Sequence, residues 1–200
     1  MQKHNLNTTK AVISIKNMIS NSCIKIVKQE LERTGFIEVI NIKLGEAEVQ
    51  FDSQVINLEV INTIIKREGF ELVKDNASKL VERIKSCIIQ HIFFGNNANS
   101  IVRNSDYLSE SLGHPYLHLS KVFSEKTGIT LEKYIILIKI EKIKELIMYD
   151  EITLSEIAYN LGYSSIQYLS NQFKQITGYT VSEYKGLNKH ERKPLTTLTN

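Results

Sequence analysis

A chain of 200 residues allows one or two domains, and its 42% apolar composition is enough to fill their cores. Two cysteines, Cys23 and Cys87, are too few for a disulfide framework, residues 1–10 are polar without a secretory pattern, and no apolar run approaches the roughly 20 residues a bilayer requires. The reading that remains is a folded cytoplasmic chain with reduced thiols. Its net charge of +3 arises beyond Asn76, because Lys/Arg and Asp/Glu balance at ten each up to that residue and stand at 15 and 12 after it.

Residues 1–10 are expected to be a disordered lead. From there the pattern predicts βαββαβ. Residues 11–16 (AVISIK) are β-branched and bounded by polar residues, which suits a strand; Ile24, Val27 and Leu31 then recur at helical spacing until Gly35 can supply a left-handed cap. Residues 38–44 and 46–51 form two strands about Gly45, with Val39 alternating against polar neighbours. Val60, Ile61, Ile64 and Ile65 give a second helix an apolar face, Gly69 stands at its end, and residues 70–73 make a last short strand. Helix-containing connections between parallel neighbours favour a four-stranded sheet with helices on one face, the ferredoxin-like arrangement over residues 11–75.

The charged stretch 74–78 is the expected boundary, and everything beyond it reads helical. Leu80, Ile84, Cys87, Ile88 and Ile92 fall on one stripe, with Cys87 a small core residue, and residues 95–100 (GNNANS) break the pattern. The fold class is therefore α+β, a ferredoxin-like domain followed by an all-α domain.

The all-α part repeats itself at a period near 50 residues. Leu112-Gly113 aligns with Leu161-Gly162, Phe123 with Phe173, Thr127-Gly128 with Thr177-Gly178, and Tyr134 with Tyr184. In the second copy, residues 155–161 make a short helix, the small Ala158 allows a close crossing, Gly162 permits the turn, and Ser164 or Ser165 caps a helix to about Ile176. This is helix-turn-helix punctuation. Leu169 and Phe173 face the core, which leaves Ile166, Gln167, Ser170 and Asn171 near the exposed start of the second helix.

From Thr153 to Lys185 the segment TLSEIAYNLGYSSIQYLSNQFKQITGYTVSEYK resembles the AraC/XylS-type regulators, with IA, GY, FK, TG and SEY in place. The stretch SDYLSESLGHPYLHLSKVFSEKTGITLEKYI, residues 105–135, resembles the family's first helix-turn-helix, and residues 136–147 resemble its joining helix. The resemblance implies a double helix-turn-helix DNA-binding domain over residues 78–185, a transcriptional regulator whose partner is double-stranded DNA. The positions matching the family's base-contacting residues are Leu117, Ser120 and Lys121 in the first unit, and Ile166, Gln167, Ser170 and Asn171 in the second. Glutamine and asparagine amides pair with adenine, lysine donates to guanine or phosphate, and Leu117 or Ile166 can cover a thymine methyl. Departures are Pro115 at a usual capping serine, Val181 at a usual proline, and Lys139 and Lys185 at usual arginines. The first recognition helix is also poor in cations and amides, which places more of the readout on the second. His114 and His118 flank the first helix as surface or phosphate-contacting groups.

The N-terminal segment resembles the heavy-metal-associated domain of copper chaperones and transporters, with residues 17–23 (NMISNSC) in the place of the metal loop. Met18 is retained, but Ser20 stands at the first cysteine position and only Cys23 remains. A hydroxyl does not replace a thiolate, so no metal cofactor is expected; Cys23 stays a candidate only for a metal or disulfide shared between protomers, or for redox chemistry. A dimerisation or protein-contact surface is the plainer role, and a homodimer through the sheet edge is left open. No phosphate loop, nucleophile elbow or His-Glu-x-x-His supports an enzyme. The competing function is a metal- or redox-responsive binding protein whose helical half contacts protein rather than DNA. Residues 186–200, with Lys189, Arg192 and Lys193, are expected to form a disordered tail.

Overall fold

A computed structural model describes residues 8–95, 104–187 and 191–199. The start of the chain through residue 7, most of the break at 95–100, and Lys189 lie outside the described residues. The chain divides into two compact units, Met1–Ser86 and Cys87–Asn200.

In the first unit, β1 (Thr8–Lys16), α1 (Asn21–Glu32), β2 (Ile37–Lys43), β3 (Glu46–Asp52), α2 (Leu58–Lys66) and β4 (Glu71–Val73) follow in order. Period-2 patterning builds the sheet: Ala47, Val49 and Phe51 of β3 are buried while Glu46, Glu48 and Gln50 between them are not. Ile13, Ile15, Ile37 and Val39 complete the sheet's core, with Val27 and Leu31 of α1 and Ile61 and Ile65 of α2 buried alongside. Val60, expected in that helical face, is exposed instead, and Ile64 four residues on is half-buried; the buried face of α2 runs through Ile61 and Ile65.

The strand order is β2-β3-β1-β4 and every neighbouring pair is antiparallel. This is the ferredoxin-like arrangement expected from the sequence, corrected in one detail: the strands joined through a helix are not neighbours but are separated by a third strand, so β3 lies between β1 and β2. A bulge between Val39 and Asn41 interrupts the edge strand β2 and leaves Ile40 exposed. The β2–β3 turn requires Gly45, whose φ is +80° and whose missing Cβ would stand 2.6 Å from Ser86 Oγ.

α3 (Asn76–Ile89) begins inside the stretch read as a boundary and widens into a π-helical turn, Gln90–Phe94. Among the described residues α4 (Asn104–Leu112), α5 (Tyr116–Thr127), α6 (Leu131–Tyr149), α7 (Leu154–Asn160), α8 (Ile166–Thr177) and α9 (Val181–Lys185) follow, and a 3-10 turn at Leu195–Thr197 comes after them. Helix α6 carries the second unit. Leu131, Tyr134, Ile135, Ile138, Ile140, Ile143 and Ile147 bury it on several sides, and α5, α7, α8, α9 and the π turn all pack on it.

Residues 191–199 are packed, which corrects the expectation of a disordered tail over that stretch. Glu141 and Lys144 of α6 form a buried pair at 2.7 Å, and the Lys193 amide donates to the other Glu141 oxygen at 3.1 Å. Arg192 reaches Glu145 at 3.0 Å, the Tyr184 hydroxyl donates to the Glu191 carbonyl at 3.1 Å, and Leu198 is buried. The acceptors on α6 give this polar segment a docking place.

Candidate nucleic-acid interface

Local hydrogen bonds set the frame of each helix pair, α4 with α5 and α7 with α8. Thr153 accepts from the Glu156 amide and the Glu156 carboxylate accepts from the Thr153 amide, a reciprocal cap that starts α7. The Thr153 bonds hold the Glu156 carboxyl below its usual range. Ala158 is buried at the crossing, Gly162 turns the chain at φ +66°, and Ser165 accepts from the Tyr168 amide at 3.1 Å to start α8. Pro115 holds the equivalent place before α5 and offers no side-chain bond; its carbonyl still accepts from His118 and Leu119 at 2.9 and 3.2 Å.

The two copies share their anchors. Leu119 and Phe123, and Leu169 and Phe173, are fully buried. Phe123 meets Tyr134 at 5.2 Å between ring centroids, and Phe173 meets Tyr184 at 5.4 Å. The Thr127 hydroxyl bridges the Phe123 and Ile129 carbonyls at 2.8 and 3.2 Å, and that of Thr177 bridges those of Phe173 and Tyr179 at 2.8 and 3.1 Å.

With the inner faces fixed, the outer faces follow. Leu117 is 82% exposed, Lys121 is exposed with Glu125 at 3.9 Å, and Ser120 is half-buried between them. On α8, Ile166 is 42% exposed, Gln167 and Asn171 are exposed and joined by a 2.9 Å bond from Gln167 Nε2 to Asn171 Oδ1, and Ser170 is half-buried. Spacings of three and four residues bring Leu117, Ser120 and Lys121 together on α5, and Gln167, Ser170 and Asn171 together on α8. Tyr116, the counterpart of Ile166, is turned to the frame: its hydroxyl donates to Glu132 Oε1 at 2.7 Å, and burial together with that carboxylate pushes its phenol up. Cys23 belongs to the other unit, in the first turn of α1, where its sulfur lies 3.4 Å from Ser20 Oγ. Among the described residues no three His, Cys, Asp or Glu side chains converge as metal ligands.

The sequence reading missed Tyr168, which is 53% exposed on α8. It is the counterpart of His118, whose ring lies 5.3 Å from His114. Both positions can donate to a phosphate, and the repeat period applied to His118 would have found Tyr168.

Residues 108–186 match a family described as a helix-turn-helix domain. Over 105 residues the chain is 30% identical to a protein of Pseudoalteromonas carrageenovora named as an HTH-type transcriptional regulator in the cgkA 5′ region, a match spanning 52% of this chain and 61% of that one. A Staphylococcus aureus protein also named as an HTH-type transcriptional regulator is 34% identical over 79 residues, 40% of this chain and 11% of the relative. The chain thus spans less than two thirds of either. The C-terminal domain of AraT, a response regulator from Geobacillus stearothermophilus, superimposes with a TM-score of 0.48 at 24% identity, covering 60% of this chain and 93% of that one.

Two of the departures from the AraC/XylS-type pattern noted in the sequence have visible consequences. Lys139 reaches the Leu161 carbonyl at 2.6 Å and lies 5.2 Å from the centre of the Tyr163 ring. Lys185 pairs with Asp150 at 2.6 Å, an exposed single contact where a guanidinium could make two. The segment 191–199 lies beyond the matched residues.

Proposed function

We propose that the protein is a sequence-specific transcriptional regulator in which α5 and α8 read adjacent major-groove boxes on double-stranded DNA. The observation that carries this reading is the pair of recognition helices held by the same buried anchors, each turning a different set of side chains to solvent. Leu117, Ser120 and Lys121 read one box. Ile166, Gln167, Ser170 and Asn171 read the other, and the two amides make α8 the stronger reader of adenine. His118 and Tyr168 hold phosphates beside them. One chain suffices for both boxes, so a dimer is not required for recognition.

The first unit serves as the sensing or dimerisation domain, and its βαββαβ order with Met18 in the first loop and Cys23 in the first turn of α1 is the basis for likening it to a heavy-metal-associated domain. Among the described residues no helix is long and apolar enough to cross a membrane. DNA as the partner supports a cytoplasmic location.

Selection of bound sequences from a random DNA pool tests the reading. At roughly physiological salt, specific sites should exceed non-specific ones by about 10³ or more, and the enriched pool should hold two boxes about one helical turn apart. Affinity should fall steeply as salt rises. A folded, reduced protein that retains no DNA at low salt would sink the proposal and favour a protein partner for the helical half.

A further inference from the structure

Lys139 lies midway along α6, yet its ammonium serves groups outside that helix. Its Nζ donates to the carbonyl of Leu161 at 2.6 Å and stands 5.2 Å from the centre of the Tyr163 ring. Leu161 closes α7, where the last carbonyls lack partners within the helix and the helix dipole is negative, so a cation satisfies an acceptor and a charge together. Tyr163 carries the contact onward to α8. Its hydroxyl donates to Gln172 Oε1 at 2.7 Å, and its ring lies 5.9 Å from that of Tyr168. Burial pushes the Lys139 ammonium down and the Tyr163 phenol up, as expected of groups held away from solvent.

The first recognition helix is tied to α6 by an unrelated contact, the 2.7 Å bond from Tyr116 to Glu132. The two helices are therefore referenced to α6 through separate polar groups. A side chain that reads a base edge has to be held within roughly 0.5 Å of its productive place, so a loosened reference is felt at the bases.

We propose that Lys139 is a positioning residue that sets the approach of α8 to DNA through Leu161 and Tyr163, without itself touching base or phosphate. This rests on the DNA-reading function proposed above. The charge and the donor hold the end of α7, and the tyrosine converts that fixed end into a fixed angle for α8.

The test uses the full chain as wild type, Lys139→Met, Lys139→Arg and Tyr163→Phe, with Asn171→Ala marking which selected box belongs to α8. Base preferences are read by sequence selection, and folding by circular dichroism and thermal melting. Lys139→Met should flatten preference in the α8 box by about tenfold while the α5 box keeps its own, and Lys139→Arg should restore it. If Lys139→Met does not fold, Tyr163→Phe decides the matter, since it keeps the ring and loses only the bond to Gln172; the same selective loss is expected. Unchanged preference in the deciding variant, or equal loss in both boxes, overturns the role of Lys139 alone. A wild-type protein that enriches no sequence overturns the DNA reading and this role together.

Discussion

Gln167 donates its side-chain amide to Asn171 Oδ1 at 2.9 Å, so the two amides facing outward from α8 orient each other before any base is present. A pair at this spacing stabilises an exposed helix by about 0.2–0.5 kcal/mol, whereas a bidentate amide–adenine contact is worth about 1–3 kcal/mol. On the proposed DNA-reading function the base contact would win, and the internal bond would be exchanged or shared on binding. Gln167→Ala and Asn171→Ala should each weaken the selected site by about 1–3 kcal/mol and combine with a coupling of at least about 0.5 kcal/mol. Strict additivity in a double-mutant cycle on DNA affinity would show that the two amides act independently.

Leu117 contributes little to the core at 82% exposure. Leu117→Ala should therefore shift unfolding stability by less than about 0.5 kcal/mol while altering preference in the α5 box. Replacing thymine by uracil in that box removes the methyl group a leucine can cover. The substitution should weaken the wild type and leave Leu117→Ala unaffected; an equal response from both proteins takes Leu117 away from thymine.

Phe123 and Phe173 occupy matching buried positions, each against a tyrosine ring. Phe123→Ala and Phe173→Ala should each cost about 3–5 kcal/mol in chemical denaturation. A much smaller cost at one site would mean that its unit repacks and that the two frames are not equally rigid.

The Glu141–Lys144 pair at 2.7 Å is buried, with the Lys193 amide on the second carboxylate oxygen. Glu141→Gln leaves the ammonium of Lys144 without its counter-charge and should cost about 3–5 kcal/mol. Deleting residues 191–200 removes hydrogen bonds to charged groups but keeps the pair, so a smaller cost of about 1.5–3 kcal/mol is expected. Denaturant midpoints compare the two, and the reverse order would make the tail rather than the pair the main stabiliser.

His91 stacks on Tyr107 with ring centroids 4.1 Å apart, and among the described residues its Nδ1 is the buried side-chain polar atom without a hydrogen-bond partner. Burial, and then the nearby Lys139 charge, hold it below its usual 6.5. The unfolded chain therefore takes up this proton first as pH falls. The stability that neutral His91 contributes is present above about pH 6.5 and is lost as pH falls from there toward the folded value. Melting temperatures between pH 8 and 5 should fall more steeply for the wild type than for His91→Phe. Parallel curves would assign the acid sensitivity to other groups.

Much of this was legible in the chain because local rules carried it. Gly35, Gly45 and Gly69 punctuate the first unit at positive φ, and Gly162 and Ser165 do their work within a few residues. What misled was neighbourhood. Alternation in β3 says which side chains face the core and nothing about which strand lies beside it, so β3 between β1 and β2 had to be seen. The π turn at Gln90–Phe94 keeps an apolar side toward the core, and a stripe through Ile92 does not register the change of winding. The packed tail was hidden for a different reason. Its docking groups, Glu141 and Glu145, sit on α6 at positions that resemble any solvated helix face, and Leu198 alone does not announce a segment that packs. For the seven proposed DNA contacts, helical spacing is enough to place them on shared faces, while the bond between Gln167 and Asn171 depends on side-chain orientation that spacing does not set.

The matched ring pairs, Phe123 with Tyr134 and Phe173 with Tyr184, make α5 and α8, the two proposed recognition helices, resemble plugs for one socket. What each plug displays is independent of how it is seated. Grafting Gln167, Ser170 and Asn171 onto the positions of Leu117, Ser120 and Lys121 changes only two side chains, because the serines already correspond. The resulting chain would carry the same outward triad twice on one scaffold and should favour a direct repeat of the α8 box, turning an asymmetric operator into a tandem one.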